Sequence, residues 1–227
     1  MKETKYKKAL GALDEDKSYS TVEALELILK QPKRKFQETV DISVWLGIDP
    51  KKSGQNIRGS LTLPNSLGKE VKVAAFVDSD KADEAKKGGA DFIGLDDLIE
   101  KYKDGNIDFD VAITTPDQMK NVSKLAKVLG PKGLMPSPKS GTVTENIDKA
   151  VKEIKHGQVR FKAEQEGIVQ GTIANVSMKK AQLKENFDSF INELKRLKPA
   201  SSKGIYFKSV FLSTTMGPGY RIDTSQF

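Results

Sequence analysis

Residues 71–77 read VKVAAFV, a short and nearly continuous run of apolar side chains. Strands that are covered on both faces have this composition, whereas strands with one solvated face alternate apolar and polar residues. A helical segment over 81–87 follows, and two more strand–helix pairs begin at DFIG (91–94) and DVAIT (110–114). The last helix is predicted to open at Thr115–Gln118, which has the pattern of a capping box with a proline at the first helical position. This order of elements predicts a parallel sheet between two layers of helices.

The segments on either side of this unit have a different pattern. Residues 38–50, ETVDISVWLGIDP, alternate strictly, as in a strand with one solvated face. A second alternating run over 57–63 follows, and together the two runs predict an antiparallel pair. After residue 158 the pattern predicts a hairpin that turns near Gly167, a long amphipathic helix, and a final strand in GIYFKSVFLSTT (204–215).

The chain is therefore predicted to be an α/β protein with one domain inserted into another. Residues 1–66 and 159–227 form a composite α+β (split βαβ-like) domain, and residues 67–158 form a Rossmann-like three-layer αβα domain. Charge separates the same segments. The insertion holds 15 Lys and Arg against 16 Asp and Glu, a net charge of −1, whereas the remaining residues hold 23 against 15, a net charge of +8. A basic excess of this kind favours a polyanionic partner.

Composition excludes several classes of site. The 227-residue chain has no cysteine and one histidine, His156, so disulfides, thiolate metal sites and two-histidine metal centres are excluded. We predict no metal, no cofactor and no catalytic residue. No run of about 18 apolar residues occurs, and the basic N-terminus lacks the apolar core of a signal peptide. We therefore expect a cytoplasmic protein without a membrane partner.

The loop GLMPSPKS (133–140) comes within one residue of the phosphate-binding pattern G-x-x-x-x-G-K-[ST]. A helix rather than a strand precedes it, and three nearby prolines lack the N–H groups that would surround a phosphate. We interpret it as a stiff surface loop, on which Lys132 and Lys139 could contact a nucleic-acid backbone. The competing hypothesis, a nucleotide-binding enzyme that uses the inserted domain, lacks a glycine loop after the first strand. A DNA-binding regulator lacks a helix-turn-helix pattern.

Two other stretches suggest contacts with nucleic acid. In KRKFQET (33–39), Phe36 stands among basic residues, an arrangement that can stack on a base while the cations bind phosphates. The alternative is that Phe36 belongs to the core and the cations form a solvated rim. In STTMGPGYRID (213–223), hydroxyl groups and glycines follow a strand directly, which suits close approach of an RNA backbone. An ordinary turn after the strand is the alternative there.

Three motifs together resemble the bacterial ribosomal protein L-one family. They are LGIDPKKSGQNIRGSLTLPNSLGK, GPKGLMPSPKSGTV and STTMGPGYRI, and the resemblance covers almost the whole chain. It implies the same two-domain organisation and a protein of the large ribosomal subunit that binds the mobile-stalk region of 23S rRNA. It also implies that the protein helps to release deacylated tRNA from the exit (E) site, represses translation of its own operon mRNA, and is a monomer when free.

The resemblance also implies which residues contact RNA. By matching motif these are Lys35, Phe36, Thr39, Asp41, Ser209, Thr215, Met216 and Gly217. The basic residues expected to add secondary contacts are Arg34, Arg160, Lys162, Lys203, Lys208, Lys132 and Lys139. Trp45 departs from the small polar or basic residue expected from the family. It changes the RNA-facing surface if it points outward, and only the core if it points inward.

Overall fold

The computed structural model describes residues 17–32, 34–52, 54–68, 70–103 and 105–227, apart from the side chains of Ser79 and Lys139. Contacts divide the chain into two compact units. One consists of residues 1–68 and 159–227, and the other of residues 69–158. We call them the composite domain and the inserted domain. Both combine helices with sheets, and the predicted α/β class is confirmed.

The composite domain is built on a four-stranded antiparallel sheet. Its elements are α1 (Thr21–Lys30), β1 (Thr39–Leu46), β2 (Arg58–Thr62), β6 (Gln158–Lys162), β7 (Ile168–Asn175), α7 (Lys180–Arg196), β8 (Phe207–Thr214) and β9 (Gly219–Ile222). The strand order is β7-β1-β8-β9. The capping box of Ser20 and Glu23 begins α1, because each side chain accepts a hydrogen bond from the backbone N–H of the other.

Both long helices contribute to a core on one side of this sheet. The buried side chains of β1 are Val40, Ile42, Val44 and Leu46, and they share that core with residues of α1 and α7. On β7, a Cβ at Gly171 would lie 3.1 Å from the ring of Phe190, so glycine allows α7 to approach the strand closely. The alternating side chains of β1 and β8 on the other side of the sheet stay partly or fully exposed.

Strand pairing corrects two predictions for this domain and adds one strand. The predicted pair of β1 with β2 is wrong, because β1 lies between β7 and β8 while β2 pairs with β6. The predicted hairpin does turn at Glu164–Gly167, but β6 and β7 join different sheets, with a bridge between Ala163 and Val169 next to the turn. Strand β9 was not predicted. Alternation indicates which face of a strand is buried, but it carries no information about the neighbouring strand.

The inserted domain is a three-stranded parallel sheet between helices. Its elements are β3 (Val73–Phe76), α2 (Ser79–Gly88), β4 (Phe92–Gly94), α3 (Asp96–Tyr102), β5 (Val111–Thr114), α4 (Met119–Val122), α5 (Ala126–Leu129) and α6 (Ile147–Lys155). The order is β4-β3-β5, and every residue of β3 and β5 is buried. Val73 and Ala75 pack against α2 and α6, whereas Ala74 and Phe76 pack against α3 and the helices after β5.

The helix predicted to open at Thr115–Gln118 begins later than expected. Residues 116–118 form a turn, α4 starts at Met119, and the turn Ser123–Leu125 of 3-10 helix separates α4 from α5. The capping box does not form, because the Gln118 side chain donates to Asp78 and accepts a hydrogen bond from Asn121 at 2.7 Å. The side-chain oxygen that a capping box would need therefore accepts from Asn121 rather than from the Thr115 N–H.

Candidate nucleic-acid interface

Two distant chain segments meet where β1 begins and β8 ends. The Arg34 guanidinium donates a hydrogen bond to the carbonyl of Met216 (3.2 Å), and the Met216 N–H donates to Oε1 of Glu38 (3.0 Å). The backbone N–H of Thr39 donates to the hydroxyl of Thr215 (3.1 Å). Residues 34–39 and 214–217 therefore form one surface, which we call the docking loops.

Buried polar groups hold the second docking loop in position. Glu38 is 5% exposed, and Thr214 beside it donates to Oε1 of Gln31 (3.0 Å). Gln31 in turn donates to the hydroxyl of Tyr220 (3.1 Å), whose pKa is raised by burial. A Cβ at Gly217 would lie 2.2 Å from Gln31 Oε1 and 2.4 Å from the Thr214 hydroxyl, so this network leaves room only for glycine.

Three threonines and Asp41 form a continuous chain of hydrogen bonds. Thr39 donates to Oδ2 of Asp41 (3.2 Å), and Thr172 donates to Oδ1 (2.6 Å). The hydroxyls of Thr39 and Thr215 are 3.1 Å apart. Because the Thr39 proton points at the carboxylate, Thr215 must be the donor in that pair. The hydroxyl oxygens then keep lone pairs free to accept hydrogen bonds from a ligand.

The aromatic and thioether side chains of the docking loops face solvent. Phe36 and Met216 are each 53% exposed, and Lys35 is exposed as well. The alternative in which Phe36 belongs to the core is therefore wrong. Phe36 lies between Arg34 and Glu38, the two residues whose side chains hold Met216.

The structure does not bring every predicted residue to the docking loops. Ser209 lies on the same sheet face as Thr215 but six residues away along β8, which is about 20 Å in an extended strand. Lys203 and Lys208 are exposed near that far end. Arg160 and Lys162 are on β6, in the separate two-stranded sheet.

Two of the predicted basic residues belong to the inserted domain. The Lys132 ammonium donates to the carbonyl of Gly105 (3.1 Å), and the side chain of Lys139 lies outside the described residues. The loop that carries Lys139 is closed on itself. The Ser137 N–H donates to the Thr142 hydroxyl (2.9 Å), and the Ser140 hydroxyl donates to the Ser137 carbonyl (3.0 Å). Donors that a phosphate would need are already occupied.

The residues that support the docking loops were not predicted from the sequence. Thr172 and Glu38 reach the predicted residues through the pairing of β1 with β7 and β8, and Gln31 reaches Thr214 from the end of α1. Lys51 and Arg58, which line a groove of about 510 Å³ together with Lys162, were also not predicted. The basic loop PKKSGQN was the one available signal for that groove.

Neither a metal centre nor a membrane segment is found in the described parts of the chain. No three His, Cys, Asp or Glu residues among them are grouped so as to hold a metal ion. None of their helices is long and apolar enough to span a bilayer.

Comparison with known proteins identifies the family. The model of the "Ribosomal protein L1p/L10e family" matches residues 28–218. The chain is 51% identical over 223 residues to the "Large ribosomal subunit protein uL1" of Cellvibrio japonicus, covering 98% of this chain and 96% of that protein. Proteins of the same name from Chlamydia caviae and Coxiella burnetii are each 48% identical, covering 96% and 97% of this chain and 94% and 95% of their own lengths. This chain therefore belongs to the ribosomal protein L1p/L10e family.

Proposed function

We propose that this protein is a structural constituent of the large subunit of the cytoplasmic ribosome and binds 23S rRNA through its composite domain. The names of its relatives place them in the large subunit. The observation that carries the proposal is the convergence of residues 34–39 and 214–217, which brings the exposed side chains of Lys35, Phe36, Thr215 and Met216 to one surface. That surface lies on the domain with the positive excess.

The chemistry of the docking loops suits RNA better than DNA. The oriented hydroxyls of Thr39 and Thr215 present acceptor lone pairs, and a ribose 2′-OH is a donor that DNA lacks. Lys35 and Arg34 supply positive charge for phosphates, and the exposed ring of Phe36 can stack on a base or ribose. We assign Asp41 the role of orienting the two hydroxyls to which it is bonded.

The preformed network explains how the surface would recognise a folded RNA. Glu38, Gln31 and Thr214 hold the loop of Met216 and Gly217 through hydrogen bonds within the protein. A surface that is ordered before binding loses less conformational entropy on association. We therefore propose recognition of RNA shape by a rigid face, with Ser209 and the basic residues around it adding peripheral contacts.

The motif resemblance supports finer roles. We propose the mobile-stalk region of 23S rRNA as the binding site, release of deacylated tRNA from the E site, and repression of translation of the operon mRNA. If the mRNA folds like the ribosomal site, it competes with 23S rRNA for the same docking loops. A monomer suffices, because one chain supplies both loops.

The competing hypothesis of a nucleotide-binding enzyme is not supported. The segment after β3, VDSDKADEA, has no glycine loop, and the hydroxyls of Ser140 and Thr142 bond to the Ser137 backbone and to each other. The family is named for a ribosomal protein rather than for an enzyme, in agreement with the predicted non-enzymatic role.

A filter-binding titration with bacterial 23S rRNA tests the proposal. We expect saturable binding that weakens as salt rises, by about 0.7–0.9 log units of affinity per log unit of salt for each phosphate neutralised. Thr215→Val is expected to weaken binding by about 1–3 kcal/mol, since it removes a hydroxyl that would be buried against RNA. Absence of binding by the wild type rules out the function, whereas an unchanged Kd for Thr215→Val removes only that residue from the interface.

A further inference from the structure

Two large, partly exposed aromatic side chains lie on the face of the composite sheet opposite its core, beyond the docking loops. Trp45 on β1 and Phe211 on β8 are 44% and 39% exposed. Trp45 is paired with Ser209, and Phe211 with Ser43. The two aromatics are thus diagonal neighbours on one face, about 7–8 Å apart, a separation that aromatic side chains can span.

Most residues around them are small, polar or basic, and Ile168 on β7, which pairs with Trp45, is the apolar exception. Ser43, Ser209 and Ser213 occupy neighbouring positions of the same face, so the two rings rise above their surroundings. The Lys208 ammonium lies 4.5 Å from the centre of the Trp45 ring, and Arg221 is paired with Phe211 from the outer strand β9.

The charge of this face points to an anion. Among the described side chains that strand pairing places on it, Asp41 is the one carboxylate, and both of its oxygens accept threonine hydroxyls. Flat apolar rings combined with cations form a surface that binds bases and phosphates together.

We infer that Trp45 and Phe211 are a stacking platform for unpaired bases of the bound RNA. The platform continues the docking loops along β1, from Thr39 to Trp45, and the inference rests on the proposed function. In the free protein the Lys208 ammonium covers the Trp45 ring. On binding, a base takes its place against the ring and the ammonium moves to a phosphate.

Trp45 departs from what the motif resemblance implies for its position. The motif resemblance leads one to expect a small polar or basic residue at position 45, and a residue of that kind offers phosphate or hydroxyl contacts instead of stacking. The platform therefore adds affinity for unpaired bases to a surface otherwise suited to the backbone.

Trp45 is the only tryptophan in the chain, so its fluorescence reports on the platform directly. We expect saturating 23S rRNA to quench the emission by more than half, with the same midpoint as filter binding, because a stacked base quenches an indole. Full binding without a change in emission overturns the inference and leaves the proposed function intact.

Substitutions of Trp45 and Phe211 measure how much each ring contributes to RNA affinity. Trp45→Thr and Phe211→Thr keep a β-branched residue in each strand and are expected to weaken 23S rRNA binding by about five- to hundredfold, the range for loss of one stacked base. Trp45→Phe keeps an aromatic ring and is expected to lose less affinity for 23S rRNA than Trp45→Thr. Val22→Ala is the matched control, because Val22 on α1 has the same 39% exposure as Phe211.

Three outcomes contradict the platform. Wild-type affinity in both threonine variants removes the rings from the RNA interface. Equal losses in Trp45→Thr and Trp45→Phe show that strand geometry, rather than stacking, was disturbed. A dimer of the wild type in sedimentation that Trp45→Thr abolishes assigns the rings to a second copy of the chain. If the wild type does not bind 23S rRNA at all, both the platform and the proposed function are wrong.

Discussion

The sheet of the inserted domain is buried on both sides, whereas the described helices of the composite domain, α1 and α7, pack on one side of its four-stranded sheet. Every residue of β3 and β5 is buried, but β1 and β8 alternate between buried and partly or fully exposed positions. The inserted domain is also nearly neutral, with a net charge of −1, while the rest of the chain carries +8. A sheet enclosed by helices has no face left for a large partner, so the difference supports our proposal that the composite domain binds the RNA.

The loops of the two domains differ in a similar way. In the inserted domain, the loop 137–142 uses its hydroxyls on its own backbone, as in the bond from Ser137 N–H to Thr142. In the composite domain, the loop around Met216 is held by residues from a distant part of the chain, Arg34 and Glu38. The loop 137–142 is thus held by bonds within itself. The loop around Met216 is held by residues 34–38, so the two segments form one surface.

Separating the two domains should change the affinity for 23S rRNA more than any single substitution. We expect the composite domain, made as residues 1–68 joined to 159–227 by a short glycine–serine linker, to bind 23S rRNA within about tenfold of the full chain. Residues 69–158 alone should bind at least about a hundredfold more weakly, because they lack the docking loops and the positive excess. Filter binding at one fixed salt concentration compares the three proteins.

Each fragment needs a circular dichroism spectrum that shows it is folded. If a folded 69–158 fragment binds 23S rRNA as tightly as the full chain, the inserted domain is the binding domain and our assignment to the composite domain is wrong.

A methyl group at Gly217 should disturb the docking loops. Gly217→Ala puts a Cβ against Gln31 and Thr214, and displacing this hydrogen-bonded pair is expected to destabilise the domain by about 1–3 kcal/mol. Gly219→Ala adds the same methyl group with no atom within 4 Å and should change stability by less than about 0.5 kcal/mol. Denaturant unfolding measures both, and similar stabilities for the two variants would contradict the packing around Gly217.

The smallest expected effects are on stability, and they concern two buried tyrosines, one in each domain. The Tyr206 hydroxyl donates to the carbonyl of Leu194 (2.8 Å), and burial raises the pKa of Tyr206 to about 12. The Tyr102 hydroxyl is buried and finds no hydrogen-bond partner among the described residues, and burial, with a smaller contribution from Asp108, raises the pKa of Tyr102.

We therefore expect opposite responses to removal of these hydroxyls. Tyr206→Phe should lower the free energy of unfolding by about 1 kcal/mol, because it leaves a buried carbonyl without its donor. Tyr102→Phe should be neutral or stabilise by up to about 1 kcal/mol, since it removes an unsatisfied polar group. Thermal unfolding at neutral pH measures both variants, and a clear loss of stability in Tyr102→Phe would mean that this hydroxyl has a partner such as a bound water.

The part of the candidate site that local motifs predict comes together in the structure. Phe36, Thr215 and Met216 lie in unusual stretches beside a strand, and the structure places them on one surface. Arg160 and Lys162, predicted as secondary contacts, lie on β6 in the separate two-stranded sheet, and their contact with RNA stays a prediction. The number of basic residues in a domain does not show which face each one occupies. A basic residue in a predicted RNA-binding domain therefore need not lie on the surface that binds RNA.

The amino-acid pattern was enough to predict which strands are buried on one face or on both, which segment is inserted, and where positive charge accumulates. These properties depend on side-chain periodicity and composition, which are local. The pattern did not predict that β1 lies between β7 and β8, that Glu38 holds Met216, or that Trp45 points away from the core next to Phe211. Those relations depend on strand register between residues more than 100 positions apart, and the pattern of a single strand does not encode its partner.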